Sequence, residues 1–462
     1  MAELRLGRIA EITGGQIVQG NPSTVFREFN IDSRLTKRGE LFFAIVARRN
    51  GHDYVPAAAE RGAGGAVVSQ PVRLPDREFA LLQVRDTLNA LQTLAKTVLV
   101  ERDIKVVAIT GSVGKTTTKE FTAELLSKKF RVLKSEGNFN NHLGLALSLL
   151  GIEPHHEVAV LEMAMSGQGE IRALTEIAPP DVAVITNINP AHLEFLKSLD
   201  NIAAAKREIL EGIKTGGTAV LNNDDPYVAK IGREWSGRKI MFGFSDGCDI
   251  QARNIQRRGY DGFRFHLRYG SQTHRVRFAF LAEGHLYNLL AAVGAASAFS
   301  IPFESIEKAI QDLRPFPKRG ILFRLDKDIV LIDDSYNSNP KALETALRSF
   351  AELPARRKVA VLGDMLELGE AEIRFHEEAG RFVVQNGWNI LVTIGRLGRR
   401  MAAAALAVGM RPDRVFSFMT SDEAADKIFS LLDEGDLILV KGSRGIQTEK
   451  IVEKIKETLK ER

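Results

Sequence analysis

Residues 106–118 read VVAITGSVGKTTT. The first five, 106–110, carry no charge and are mostly β-branched, as in a strand buried on both faces. Gly111 and Gly114 then bracket Ser112 and Val113, and Lys115-Thr116 lead into a segment of helical composition, 117–128. A strand that turns through glycines into a helix aims backbone N–H groups and a helix N-terminus at one point, where a phosphate is held. Glycine is required because a Cβ would keep the backbone away from the anion. The pattern implies a nucleoside triphosphate, with ATP the first choice, cradled by Gly111, Ser112, Val113, Gly114, Lys115, Thr116 and Thr117. Lys115 would reach the β- and γ-phosphates, and the Thr116 hydroxyl would ligate Mg²⁺. The longer form of this motif has a glycine at position 109, where this chain has Ile109, so the loop is the shortened Gly-x-x-Gly-Lys-Thr.

Working outward, two further apolar runs, 158–162 and 182–187, alternate with helix-length segments, the pattern of a parallel sheet covered by helices. Residues 249–280 alternate apolar and basic positions and predict an antiparallel excursion, followed by a helix over 285–299. Arg314-Pro315-Phe316-Pro317 restricts the chain to extended conformations and reads as a hinge. Beyond it, the runs 329–333, 359–363, 390–394 and 437–440 are spaced as in a second open parallel sheet. Before residue 100 the strand-like runs are 41–46, 65–68 and 79–84, with helices at 56–61 and 86–100 and a charged break at 101–103. The expectation is an α/β chain of three domains: an N-terminal α/β domain (1–102), a central P-loop parallel-sheet domain (103–313) and a C-terminal Rossmann-like domain (314–462).

Bulk properties narrow the class. A chain of 462 residues is too long for one ordinary core. Its net charge of +5 suits anionic substrates, but no Lys/Arg run is interleaved with aromatics, so nucleic-acid binding is not indicated. The single Cys248 excludes an intramolecular disulfide and, without a Cys/His cluster, argues against a structural zinc. No run reaches the ~20 apolar residues of a membrane span. These features predict a cytoplasmic protein, with a monomer as the default.

Three further residues have ordinary readings when taken singly. Glu162 ends an apolar run and fits a loop cap. His192 follows the run 182–187 and fits a structural histidine. Lys206, in IAAAKRE, fits a solvated helix lysine. Their order and spacing, with the segments TGSVGKTTT (110–118), LEMAMSGQGEI (161–171) and TNINPAHLEFL (186–196), resemble those of the Mur ligases, the ATP-dependent amide-forming enzymes of peptidoglycan precursor synthesis. The resemblance runs through the whole chain. It implies two Mg²⁺ ions, held by Thr116 and Glu162 and by His192 and a carbamylated Lys206, with Lys115 beside them. It implies ATP contacts from Asn288 and Arg319, and Asp334 bringing the C-terminal domain onto the nucleotide.

IDSR (31–34) and LFFAI (41–45) resemble the family's UDP-sugar-binding domain, with Ser33 and Arg34 as candidate contacts. In that domain Asn50-Gly51-His52 stands where Asp-Gly-His is usual. GNFNNHLG (137–144), DDSYNSNP (333–340), VLGDMLELGE (361–370) and VKGSRG (440–445) resemble the branch that adds D-Ala-D-Ala to UDP-MurNAc-tripeptide. Asn138 and Asn140 would then serve the substrate, and Tyr336, Asn337 and Asn339 the dipeptide side. The implied reaction passes through an acyl phosphate, with closure about the 314–319 hinge excluding water. The preceding amino-acid-adding branch is the nearest alternative, but its Tyr-Ala-His and Asp-Asn-Pro-Arg motifs are missing here. IDSR argues against a folate polyglutamate ligase. A P-loop NTPase switch is the rival from another class, and it would not need Glu162, His192 and Lys206 together.

Overall fold

The computed structural model describes residues 3–72, 78–191 and 193–461. The run that leads into the glycine loop is strand β1 (Lys105–Thr110), inside a nine-stranded sheet. β1 lies between β2 (Val158–Glu162) and β3 (Val182–Ile185), both parallel to it. Side chains alternate along β1: Val106 and Ala108 join one apolar cluster, Val107 and Ile109 another. Both faces are therefore buried, which is why the run carries no charge after Lys105. On one face pack α1 (Lys115–Ser127) and the long helix Glu283–Ala298. On the other lie the helices His142–Leu150, Glu170–Ile177 and Leu199–Glu211.

Beyond Thr218–Asn222 and Arg238–Gly243 the sheet ends in Ile250–Arg257, Phe263–Tyr269 and Gln272–Phe278, and these three pair antiparallel as the alternation predicted. Of the boundaries that differ from the sequence expectation, two have a cause beside the glycine loop. β3 stops at Ile185, because Thr186 and Asn187 turn their side chains onto the carbonyl of Val113. α1 begins at Lys115 and not at 117, because Gly114 at φ +86° serves as its N-cap.

Near the N-terminus, Ala80–Gln83, Gly65–Val68, Leu41–Phe43 and Phe29–Asn30 form a parallel set with Gln16–Gln19 antiparallel at one edge. The helix Thr87–Glu101 buries Leu91, Leu94 and Val98. These belong to one apolar cluster that continues from Leu6 and Phe43 to Leu145, Leu149 and Leu161 under the central sheet. Past the prolines, β4 (Val330–Asp334) stands in a six-stranded sheet, antiparallel only at its first strand, Ile321–Arg324. Its core also has two faces. The carboxyl ends of β1, β2 and β4 carry the loop, Glu162 and Asp334, the end where open α/β sheets bind ligands.

The proline segment is anchored. The Phe316 ring lies 5.9 Å from that of Phe121 on α1, and Phe121 also meets Phe280 at 4.9 Å and Phe278 at 5.8 Å, both edge-on. Across the junction Arg257 pairs with Glu352 at 2.6 Å and the Tyr260 hydroxyl donates to the carbonyl of Pro354. Phe121 is fully buried. Phe121→Ala is expected to cost about 3–5 kcal/mol, measured as a lowered midpoint in urea unfolding.

Candidate active site

The loop 111–116 is shaped by what lies behind it. Gly111 has φ +148°, and a Cβ there would sit 1.9 Å from Thr186 Oγ1. At Gly114, φ +86°, a Cβ would sit 2.1 Å from Asn288 Oδ1. Neither position tolerates a side chain, so the glycines serve packing as well as access. The turn after β3 clasps the loop: Asn187 Oδ1 accepts from the Val113 N–H at 2.9 Å, and the Ser112 N–H donates to the Asn187 carbonyl at 3.0 Å. The Ser112 hydroxyl donates to the Asn189 carbonyl at 3.0 Å. Lys115 Nζ donates to the Gly111 carbonyl at 2.9 Å, folding the lysine back over the loop. Thr117 is buried on the following turn, and Thr118 Oγ1 donates to Asn288 Oδ1 at 3.3 Å.

Glu162, at the end of β2, is 3% exposed. Its Oε2 accepts from Thr116 Oγ1 at 2.7 Å and its Oε1 from Asn140 Nδ2 at 2.9 Å. Around this carboxylate stand three basic side chains. Lys206 is 1% exposed; burial first, then repulsion from Lys115, holds its ammonium well below the usual lysine value, with Glu162 opposing. Burial also lowers Lys115, with Glu162 opposing and Arg319 reinforcing. Arg319, from beyond the proline hinge, is lowered by burial against the attraction of Glu162, Asp334 and Tyr336. Its Nη2 donates to Thr116 Oγ1 at 3.2 Å and its guanidinium lies 3.8 Å from the centre of the Tyr336 ring. Lys115 and Arg319 are held close to Glu162 with the weakly protonated Lys206 beside them, so the site is receptive to negative charge. An anion brought there supplies the missing partner.

Two family descriptions match this chain: "Mur ligase middle domain" over residues 109–296 and "Mur ligase, glutamate ligase domain" over 304–444. It is 34% identical to the UDP-N-acetylmuramoyl-tripeptide–D-alanyl-D-alanine ligase of Bacillus subtilis (strain 168), with 99% of each chain covered. The chain belongs to the Mur ligase family. Its fold superposes on the crystal structure of MurF from Acinetobacter baumannii with a TM-score of 0.89, at 30% identity and 99% coverage of both chains. MurF ligase from Thermotoga maritima, solved in complex with ADP, gives a TM-score of 0.81 at 28% identity, covering 93% of this chain and 97% of that one.

In this Mur ligase the structure gathers the loop residues, Glu162, Lys206, Asn140, Asn288, Arg319 and Tyr336. Asp334 ends β4 and pairs with the buried Lys441 at 2.7 Å. Lys441 also donates to the Asn337 carbonyl at 3.0 Å. Asn339 caps the helix Pro340–Ala351 by accepting from the Ala342 N–H. Asn138 is exposed beside Asn140, whose N–H donates to its carbonyl. Arg34 is exposed and forks onto Asp32, with Ser33 buried next to it, within the N-terminal unit. His192 lies outside the described residues. Among the described residues no three His, Cys, Asp or Glu side chains are grouped as a metal cage.

Residue-by-residue reading missed several supports. Lys119 is fully buried, donates to the Ser135 carbonyl and pairs with Glu120 at 3.1 Å. The Ser135 hydroxyl accepts from the Glu162 N–H at 3.2 Å, so Lys119 braces the strand end that carries the carboxylate. A lysine in KTTTKE is solvated by default, and only the tertiary fold buries it. Lys119→Met would leave the Ser135 carbonyl without its donor, with an expected cost of about 1–3 kcal/mol in thermal or urea unfolding.

His285, in the first turn of its helix, packs against Phe280 and close to Gly320, and its Nδ1 is buried without a hydrogen-bond partner. Burial pushes its pKa down to about 4, against the pull of nearby Asp334 and reinforced by Arg319 and Lys441. The unfolded chain, with a histidine pKa near 6.5, therefore binds more protons across that window. Stability falls as the pH drops from about 6.5 to about 4, by up to roughly 3 kcal/mol from this residue. Urea unfolding at several pH values should show a shallower slope over this range for His285→Gln.

Proposed function

We propose that this Mur ligase joins D-Ala-D-Ala to UDP-MurNAc-tripeptide in the cytoplasm, as a monomer, with ATP as the energy source. The observation that carries this reading is the reach of Arg319, from beyond the hinge, onto Thr116 and the ring of Tyr336. An arginine delivered to the phosphate loop by the following domain suits phosphoryl transfer to a substrate enclosed between the two. The ADP complex of the Thermotoga maritima relative supports the nucleotide, and the name of the Bacillus subtilis relative with the motifs 137–144 and 333–340 supports the choice of substrates.

The tripeptide carboxylate would attack the γ-phosphorus of ATP, releasing ADP and forming an acyl phosphate. The D-Ala-D-Ala amine would then attack the acyl carbon, losing a proton and expelling inorganic phosphate. The difficulty is repulsion, since a carboxylate must approach a triphosphate bearing about four negative charges. Lys115, Arg319 and the loop N–H groups offset it, and the water-excluded setting strengthens each of these interactions. Asn288 and Asp334 would complete the nucleotide site. Tyr336, Asn337 and Asn339 would line the dipeptide side, and Ser33, Arg34, Asn138 and Asn140 would serve the UDP-sugar peptide. Residues 1–102, 103–313 and 314–462 would act as sugar-nucleotide, ATP and dipeptide domains, closing about the 314–319 hinge.

The hard oxygen donors Thr116 Oγ1 and Glu162 Oε2, 2.7 Å apart, fit Mg²⁺, which when bound would neutralise phosphate charge. Lys206 fits carbamylation: its buried amine, with the proton weakly held, can add to CO₂ and release a proton, leaving an anionic carbamate beside Lys115. That carbamate and His192 are the proposed ligands of a second ion. Phosphate release from ATP is expected only when UDP-MurNAc-tripeptide and D-Ala-D-Ala are both present; release without the dipeptide would defeat the ligase reading. Lys206→Ala should lose at least a hundredfold in kcat and recover part of it with added short-chain carboxylic acids. Full activity of the unsupplemented variant would remove Lys206 from the mechanism.

A further inference from the structure

Between Ile250 and Phe278 the chain holds seven arginines, no lysine and one acidic residue, Asp261. This stretch alone carries more positive charge than the net +5 of the whole protein. It forms the three antiparallel strands at one end of the central sheet. Phe263, Phe265, Leu267, Val276 and Phe278 fill the inner face, and Arg257 turns inward to Glu352 and the carbonyl of Leu281. The outer face exposes Arg253, Arg264, Arg268, Arg275 and Arg277.

Cross-strand register concentrates these charges. Arg264 lies directly opposite Arg277, and His266 lies between Arg253 and Arg275. Like charges facing each other on a sheet are destabilising. Arg253 has an ion pair here, at 2.7 Å with Asp246, itself almost fully exposed. The fold thus tolerates repulsion on a face that needs no charge for packing, which marks the face as one that meets an anion.

We propose that this five-arginine face docks the protein on a bilayer surface rich in anionic phospholipids. Guanidinium forks match phosphate oxygens in pairs, and the consistent use of arginine over lysine favours phosphate over a diffuse negative field. Between the arginines the outer positions hold Asn254, Gln256, His266 and Thr273. No Trp, Tyr or Phe projects there as a platform for stacking single-stranded bases, and no apolar anchor as in a protein–protein hot spot. A sheet face with its partner strands alongside suits a broad, flat array of headgroups. Five strands separate the edge strand Gln272–Phe278 from β1, so a membrane held here leaves the phosphate loop open.

The test is co-sedimentation of the full chain with vesicles of about 30 mol% phosphatidylglycerol in phosphatidylcholine, against phosphatidylcholine alone. Binding is expected to the anionic vesicles only, and to weaken at least tenfold between roughly 50 and 250 mM salt. The variant R264E/R268E/R275E should bind at least tenfold more weakly with unchanged phosphate release. Its fold is safeguarded because Arg264→Glu places opposite charge across from Arg277, and its thermal midpoint verifies this. A control of equal charge change on exposed residues elsewhere, K96E/R399E/R400E, should bind like the parent. The proposal is overturned if the anionic vesicles fail to bind at low salt, or if the two variants lose binding equally. It is also overturned if a DNA duplex binds this face more tightly than the vesicles do.

Discussion

Glu162 is a carboxylate buried at the end of a strand, and burying such a charge is costly unless donors and cations meet it. Thr116 and Asn140 take its two oxygens, Ser135 holds its N–H, and Lys119 holds Ser135. Lys115 and Arg319 supply more positive charge than this one carboxylate balances, with the weakly protonated Lys206 beside them. The phosphate loop, the strand end and the first residues after the hinge are therefore tied to one point. The same imbalance that makes the site stable around Glu162 makes it receptive to a polyphosphate.

The link between domains follows from the same geometry. Arg319 can reach Thr116 because Phe316, three residues earlier, packs on Phe121 in the helix that the loop initiates. Gly320 passes close to His285, so the start of the helix bearing Asn288 senses the same junction. Hinge, phosphate loop and helix Glu283–Ala298 thus share contacts. A ligand that pulls on the loop also bears on the position of the C-terminal sheet.

Much of this was legible in the residues. The uncharged run 106–110 with its glycines fixed β1, the loop and α1, and the alternation over 249–280 fixed an antiparallel set, because both patterns are local. The early end of β3 was not readable, since Thr186 and Asn187 leave the strand to satisfy Val113, more than seventy residues earlier. Burial of Lys119 and Lys206, and the isolation of His285, depend on neighbours contributed by distant segments. Composition assigns lysine to solvent by default. Family spacing, not residue type, singled out Lys206, and nothing comparable singled out Lys119. Ser33 and Arg34 were named from a motif, and the hydrogen bonds of Arg34 stay with its neighbour Asp32.

The apolar cluster that runs from Phe43 through Leu94 and Val98 to Leu145 and Leu161 has a consequence for the chain while it is being made. Translation delivers the first hundred residues before the central strands that cover them. At typical elongation rates, some sixty residues separate Val98 from Leu161, a delay of several seconds. During that time the helix Thr87–Glu101 has its N-terminal partners but not the helix His142–Leu150, against which it also packs. Until then part of that apolar face stays open, and slower decoding around residues 100–160 would lengthen its exposure.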